Sequence, residues 1–390
     1  MMLSIPYGRQ DIDQSDIDSV IDVLRSDFLT QGPVVPAFEK AVSQYCKVDV
    51  AVAVNSATSA LHLACIALEV GVGDIVWTSP ITFVATANCA IYCGACVDFV
   101  DIDPVTYNIS IEALEKKLQV AKKQNKLPKV VIPVHLCGQS CDMAAIFELS
   151  KRYNFRVIED ASHAIGAKYR GEAVGSCKYS DITVFSFHPV KIITTGEGGM
   201  ALTNSPHLGK RMRLLRGHGI STDFQDFEAR PDAEIWNYQQ IDLGFNYRMT
   251  DIQAALGLSQ MQRLDLFVFQ RHQIAETYDN AFRDLPITIP GQHPDAYSSY
   301  HLYPIRLRLG DIRLSHREVY DSLRSSGVLV NLHYIPVYRQ PYYQTRGYQS
   351  SNFPEAERYF SDAISLPIFS GLSVVQQQYV IKVLREILGW

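Results

Sequence analysis

Lys191 stands in Phe185-Ser186-Phe187-His188-Pro189-Val190-Lys191-Ile192-Ile193, between an aromatic run and the Gly-rich Thr194-Thr195-Gly196-Glu197-Gly198-Gly199. Lysine is rarely buried without a partner, and burial among apolar neighbours lowers its proton affinity and makes the amine nucleophilic. Such an amine can form a Schiff base with a carbonyl. An exposed loop lysine is the ordinary alternative. Asp160 closes the β-rich run Phe155-Arg156-Val157-Ile158-Glu159 ahead of Ala161-Ser162-His163-Ala164, where a carboxylate serves either as a helix cap or as the negative partner of a buried cation. Val54-Asn55-Ser56-Ala57-Thr58-Ser59 leads from a β-rich run into a helical pattern through small polar residues. Their N–H groups and hydroxyls suit a phosphate, or simply cap a helix. Gly244-Phe245-Asn246-Tyr247-Arg248-Met249-Thr250 adds an amide and an arginine, the side chain best suited to gripping phosphate.

These groups sit at the ends of runs that read as strands, where open α/β sheets place their ligands. The runs are Val50–Val54, Asp74–Thr78, Cys96–Asp101, Lys129–His135, Phe155–Ile158, Asp181–Phe187 and Met200–Thr203. Helical patterns fall between them at Ser59–Leu68, Ile111–Gln124 and Met143–Tyr153, which predicts a three-layer α/β/α domain with a mostly parallel sheet. From Asp251 a long helical segment passes through Leu256, Leu264 and Tyr278. A strand over Tyr300–Leu309, a helix over Ser315–Ser325, a strand over Val328–Leu332 and a helix over Val375–Leu388 follow. The expected division is a large domain over residues 1–250 with an N-terminal arm, then a linking helix and a smaller α+β domain over 251–390.

Several functions are disfavoured. A formal net charge of −5 over 390 residues is too acidic for a chain whose main work is neutralising phosphate backbones. The uncharged stretches Val50–Leu68 and Ile75–Val97 approach bilayer-spanning length, but polar residues such as Asn55, His62, Pro80 and Asn88 interrupt them. Residues 1–10 show no secretory pattern, so a cytoplasmic protein is expected. Cys93, Cys96, Cys137 and Cys141 could supply thiolates to zinc, yet they sit in apolar runs and read as core thiols, so no metal is expected. The lysines between Lys116 and Lys129 flank a stripe of Leu114, Leu118 and Ala121, the mark of a solvated amphipathic helix. Neither a G-x-G-x-x-G nor a G-x-x-x-x-G-K-[ST] phosphate loop is present.

A phosphate cup, an acid suited to a ring nitrogen, a lysine for an imine and the aromatic face of Phe83 together meet the needs of pyridoxal 5′-phosphate. Ser26–Pro33 (SDFLTQGP), Asn55–Leu61 (NSATSAL), Ser186–Lys191 (SFHPVK) and Thr194–Gly199 (TTGEGG) resemble the DegT-type sugar aminotransferases, a fold-type-I pyridoxal-phosphate family. The resemblance extends over nearly the whole chain. Ile192 departs from the proline expected there but leaves the lysine and the Gly-rich turn intact.

The resemblance implies that Lys191 forms the internal Schiff base and shuttles a proton, while Asp160 keeps the pyridine nitrogen protonated. It places Phe83 and His163 against the cofactor, with Ala57, Thr58 and Ser186 on its phosphate. Asn246 and Arg248 are implied to reach the phosphate from the second subunit of a homodimer. Tyr7, Asp27, Phe28, Leu29, Thr30, Asn331, His333 and Tyr334 are the implied nucleotide-sugar contacts. Together with Val330–Tyr338 (VNLHYIPVY), these motifs are most similar to the subgroup that aminates a UDP-linked 4-keto-6-deoxy-N-acetylhexosamine with L-glutamate for pseudaminic acid. Another 4-keto or 3-keto nucleotide sugar is the alternative substrate. Sugar dehydratases of the family replace the lysine with histidine, so Lys191 argues against that chemistry.

Overall fold

Strands covered on both faces are apolar at successive positions rather than at alternate ones, and Val50-Ala51-Val52-Ala53-Val54 is such a run. The computed structural model describes residues 4–228 and 238–390. Its central sheet has seven strands: β1 (Val50–Val54), β2 (Ile75–Thr78), β3 (Cys96–Phe99), β4 (Val130–Ile132), β5 (Arg156–Asp160), β6 (Ile182–Ser186) and β7 (Gly199–Thr203). Their spatial order is β1-β7-β6-β5-β4-β2-β3. β7 runs antiparallel to both neighbours and every other pairing is parallel.

Outside the sheet lie α1 (Gln14–Leu24) and the covering helices α2 (Val34–Cys46), α3 (Ala57–Ala67), α4 (Ala85–Tyr92), α5 (Ile111–Lys123), α6 (Met143–Tyr153), α7 (Pro206–Arg216), α8 (Asp251–Met261) and α9 (Leu264–Ala281), with α1 packed on α8. Because side chains alternate across a strand, Val50, Val52 and Val54 pack with Leu61 of α3 and Met212 of α7. Ala51 and Ala53 face the other way, with Phe38 of α2 and Ala254 of α8. Further along the sheet, Trp77, Val131 and Val157 meet Leu114 and Leu118 of α5 and Ile146 of α6. The result is a three-layer α/β/α arrangement with a mostly parallel sheet.

The two uncharged stretches resolve into strand and helix, β1 with α3 and β2 with α4. Among the described residues no helix is long and apolar enough to cross a membrane. α5 buries Leu114, Leu118 and Ala121 and exposes Lys116, Lys122 and Lys123, with Lys116 paired to Glu112 at 2.6 Å, while Lys117 lies half-buried against Asp98 at 2.7 Å. The helical segment from Asp251 is two helices, α8 and α9, broken at Gln262-Arg263, where Arg263 ties down Asp11, Asp13 and Asp16.

A second core gathers Tyr278 and Phe282 with Tyr303, Val319, Leu366 and Val380. It lies over a three-stranded antiparallel sheet of Ile287–Thr288, Tyr303–Leu307 and Ala363–Leu366. α9 serves both cores, with Leu264 and Phe267 on the central-sheet side and Ile274 and Tyr278 here. Ile5 also belongs to this second core, because Ile5–Pro6 pairs in parallel with Val328–Leu329.

Candidate active site

Asp160 ends β5 in the middle of the sheet and is buried. Its Oδ2 accepts a 2.6 Å hydrogen bond from Thr86 Oγ1 on α4. Its Oδ1 accepts from Ser162 N at 3.1 Å and from Ser162 Oγ at 2.6 Å. Both oxygens are therefore oriented, yet no cation pairs with them among the described residues. A carboxylate placed this way is oriented by the chain and left without a cationic partner for whatever enters the site.

Lys191 follows β6 in a tight turn closed by its own N–H to His188 O at 2.9 Å. Buried Ile192 and Ile193 anchor the turn, and Thr194 Oγ1 and Thr195 N both donate to Phe187 O at 3.0 Å. Gly196 then takes a left-handed backbone, φ +79°, that glycine adopts without strain. The Lys191 amine makes no hydrogen bond or ion pair among the described residues. Burial brings its pKa down from 10.5 to about 8, with the Asp160 charge opposing the shift. Lys191 and Asp160 line one cavity of about 560 Å³.

At one end of that cavity α3 begins. Ser56 caps it, accepting from Ser59 N at 3.1 Å. The N–H groups of Ala57 and Thr58 carry no hydrogen bond among the described residues, and both residues line the cavity. A Cβ on Gly199 would lie 2.5 Å from Ala57 N, so only glycine lets β7 pass so near this helix start. Ser186, at the end of β6, opens on the same cavity. Free N–H groups, a helix N-terminus and two hydroxyls together make an anion cup.

The parallel pairing of Ile5–Pro6 with Val328–Leu329 delivers Tyr7 and residues 331–334 to the opposite wall. The rings of Tyr7 and His333 lie 4.9 Å apart. His333 Nδ1 meets Ser365 Oγ at 2.9 Å, and burial lowers its pKa to about 3, so the ring is neutral. Buried His163 accepts from Cys137 N at 3.3 Å through Nδ1 and meets Tyr334 Oη at 3.1 Å through Nε2. Burial, reinforced by Lys191, holds its pKa well below the usual histidine range. Phe83 is 59% exposed and stands at the cavity rim, 6.3 Å from the Tyr334 ring.

The structure thus gathers Tyr7, Ala57, Thr58, Phe83, Asp160, His163, Ser186, Lys191, Asn331, His333 and Tyr334 around one cavity. It does not bring Asp27, Phe28, Leu29, Thr30, Asn246 or Arg248 into that lining. Residues 27–30 are exposed after α1, with Thr30 bridged to Thr250. Asn246 and Arg248 bridge Gly217 and Val54 beside the end of β1. Sequence reasoning missed Thr86, Ser162, His188, Glu197 and His301, which also line the cavity. Ser162, two residues beyond Asp160, was within reach of a local reading as a side-chain turn. His188 and Glu197 stand inside the SFHPVK and TTGEGG motifs, where no role was assigned to them, and Thr86 and His301 carried no local signal.

A seven-stranded α/β/α sheet presenting a lysine, an aspartate and an anion cup at its strand ends defines a fold-type-I pyridoxal-phosphate enzyme. Residues 10–385 match the DegT/DnrJ/EryC1/StrS aminotransferase family, and the chain belongs to it. It is 38% identical over 385 residues to the UDP-4-amino-4,6-dideoxy-N-acetyl-β-L-altrosamine transaminase of Campylobacter jejuni, covering 98% of this chain and 97% of that one. It is also similar to PseC of Helicobacter pylori, an aminotransferase involved in the biosynthesis of pseudoaminic acid (TM-score 0.89, 32% identity, 99% of each chain). The PLP form of Spr1654 from Streptococcus pneumoniae superposes with a TM-score of 0.87 at 30% identity, covering 99% of each chain. The chain is a pyridoxal-phosphate-dependent sugar aminotransferase.

Proposed function

We propose that this enzyme transfers the amino group of L-glutamate to C4 of UDP-2-acetamido-2,6-dideoxy-β-L-arabino-hex-4-ulose, giving UDP-4-amino-4,6-dideoxy-N-acetyl-β-L-altrosamine for pseudaminic acid biosynthesis. The observation that carries the chemistry is the unpartnered Lys191 amine sharing a cavity with an oriented, unpaired Asp160. The substrate assignment is supported by similarity along the full length of the Campylobacter transaminase.

The residues present fit pyridoxal phosphate. The open N–H groups at the start of α3, with Thr58 and Ser186, suit its phosphate, Asp160 suits its ring nitrogen, and Phe83 offers an aromatic face. When bound, the cofactor supplies an aldehyde that accepts the amino group and a ring that spreads the electrons left at the reacting carbon.

The chain's own residues do the rest. With a pKa of about 8, roughly a tenth of the Lys191 amine is unprotonated at pH 7, so it can both attack a carbonyl and carry a proton. Thr86 and Ser162 hold the Asp160 carboxylate in the orientation that pairs with a protonated ring nitrogen. His163, kept neutral, is assigned to the cofactor's phenolic side. Tyr7, Asn331, His333 and Tyr334 form the wall assigned to the nucleotide sugar. The exposed Asn246, together with Arg248 and residues 27–30, is assigned to the cavity of a second copy in a homodimer.

The test is to offer UDP-, GDP- and dTDP-linked 4-keto sugars with L-glutamate and to identify any aminosugar by NMR. The expected product is the UDP-linked 4-amino sugar of altro configuration. Turnover of GDP or dTDP substrates alone would overturn the substrate assignment and leave the transaminase chemistry standing.

A further inference from the structure

His301 is only 4% exposed and lines the cavity, yet its ring makes no hydrogen bond among the described residues. Its Nδ1 is sealed from water without a partner. A buried polar group left unpaired is destabilising, so a native fold keeps one where something else offsets it. His163 lies beside it, the two ring centroids 4.4 Å apart, and is in the opposite condition. Its Nδ1 accepts from Cys137 N, so the proton of the neutral ring sits on Nε2 and is donated to Tyr334 Oη. Among the described residues both nitrogens of His163 are engaged, and neither nitrogen of His301 is.

The position of His301 is held from behind. Arg271, itself buried, donates through Nη1 to Tyr300 O at 3.1 Å, His301 O at 3.3 Å and Ile368 O at 3.0 Å. Ser299 Oγ donates to His163 O at 2.8 Å and fastens the same segment to the floor. The backbone that carries the ring is therefore fixed before any ligand arrives. The ring is neutral, because burial drives its pKa well below the usual range and neighbouring His163 and Lys191 add to the shift. An orphaned buried N–H is rarer than an under-used acceptor, so the proton belongs on Nε2 and the sealed Nδ1 keeps the lone pair.

We propose that His301 is a ligand-binding residue of this site, its Nε2–H donating to an acceptor oxygen of the bound molecule on the His163 side of the cavity. The proposal rests on the pyridoxal-phosphate reading above and goes beyond it by naming a contact for a cavity residue that reading leaves without a role. Two oxygens share the required chemistry, the phenolic oxygen of the cofactor and a carboxylate oxygen of the amino donor.

The test compares wild type with His301→Leu, which removes the donor, and with His301→Gln, whose amide nitrogen reaches the place of Nε2. His301→Asn is the control, keeping a polar side chain but placing its amide near Nδ1. Pyridoxal phosphate is titrated into apoprotein for its Kd, and the glutamate half-reaction is followed for KM and kcat, with melting temperature read in parallel. Loss of one hydrogen bond corresponds to about tenfold. His301→Leu and His301→Asn are expected to weaken one of the two, and His301→Gln to recover most of it. A weaker cofactor Kd with unchanged glutamate KM identifies the phenolic oxygen, and the reverse identifies the carboxylate. Unchanged constants in both variants, or a loss in His301→Gln equal to that in His301→Leu, would overturn the proposal. Failure of the wild-type apoprotein to take up pyridoxal phosphate would instead overturn the reading on which it rests.

Discussion

The floor of the cavity and the outer edge made by residues 27–30, Asn246 and Arg248 follow opposite physical plans. On the floor, Asp160 is buried, braced on both oxygens and faced by a lysine whose proton affinity burial has lowered. At the edge, Phe28 and Leu29 are 53% and 48% exposed, Asn246 is exposed, and Arg248 makes no ion pair among the described residues. A desolvated, pre-oriented floor suits bond making, where misplacement is expensive. An open edge with apolar side chains and an unpaired arginine suits a surface that another molecule covers. The comparison separates what one chain completes alone from what the proposed account assigns to a second copy.

The floor is broken most severely by Lys191→Ala. Overall transamination should fall by more than about 10³-fold with the circular dichroism spectrum unchanged, because among the described residues no other lysine lines the cavity. Asp160→Asn keeps the shape and removes the charge, and kcat should fall on the order of 10² to 10³-fold. The edge is tested by mixing. Arg248→Ala alone should be strongly impaired, yet reassorting it with Lys191→Ala should restore up to roughly a quarter of wild-type activity, since half the dimers then carry one intact site. No recovery on mixing would mean that the edge serves its own chain.

Smaller effects sharpen the contrast. Thr86→Val leaves Asp160 braced by Ser162 only and should reduce kcat by up to about tenfold, the worth of one charge-assisted hydrogen bond. The lowered lysine pKa gives a pH signature with a definite sign. The unprotonated amine accumulates as pH rises through about 8 rather than 10.5, so stopped-flow uptake of pyridoxal phosphate by apoprotein should quicken about tenfold from pH 7 to 9 and then level. Since the folded value lies below the unfolded one, the buried ammonium also costs stability below pH 8, and this cost is relieved between about 8 and 10.5.

The layered fold was largely legible because strands buried on both faces announce themselves as apolar runs. β1 falls on the expected residues Val50–Val54, and β6 occupies Ile182–Ser186 within the expected Asp181–Phe187. The reversed direction of β7 was not legible, since a fully buried strand reads alike in either sense. Lys191 and Asp160 stood out because charged groups among apolar neighbours are conspicuous. The brace from Thr86 did not, because it arises 74 residues from its partner and only the sheet brings the two together. Residue type suggested a phosphate grip for Arg248 and the family resemblance added Asn246, while nothing local to them says which cavity they serve. His301 was invisible for a related reason, because its meaning lies in what its ring fails to bond.

The most direct measurement is borohydride reduction of the protein loaded with pyridoxal phosphate, followed by peptide mass mapping. The account expects a single pyridoxyl mark, on the peptide containing Lys191. A mark on a different lysine, or a protein that binds the cofactor and yields no mark, would contradict it.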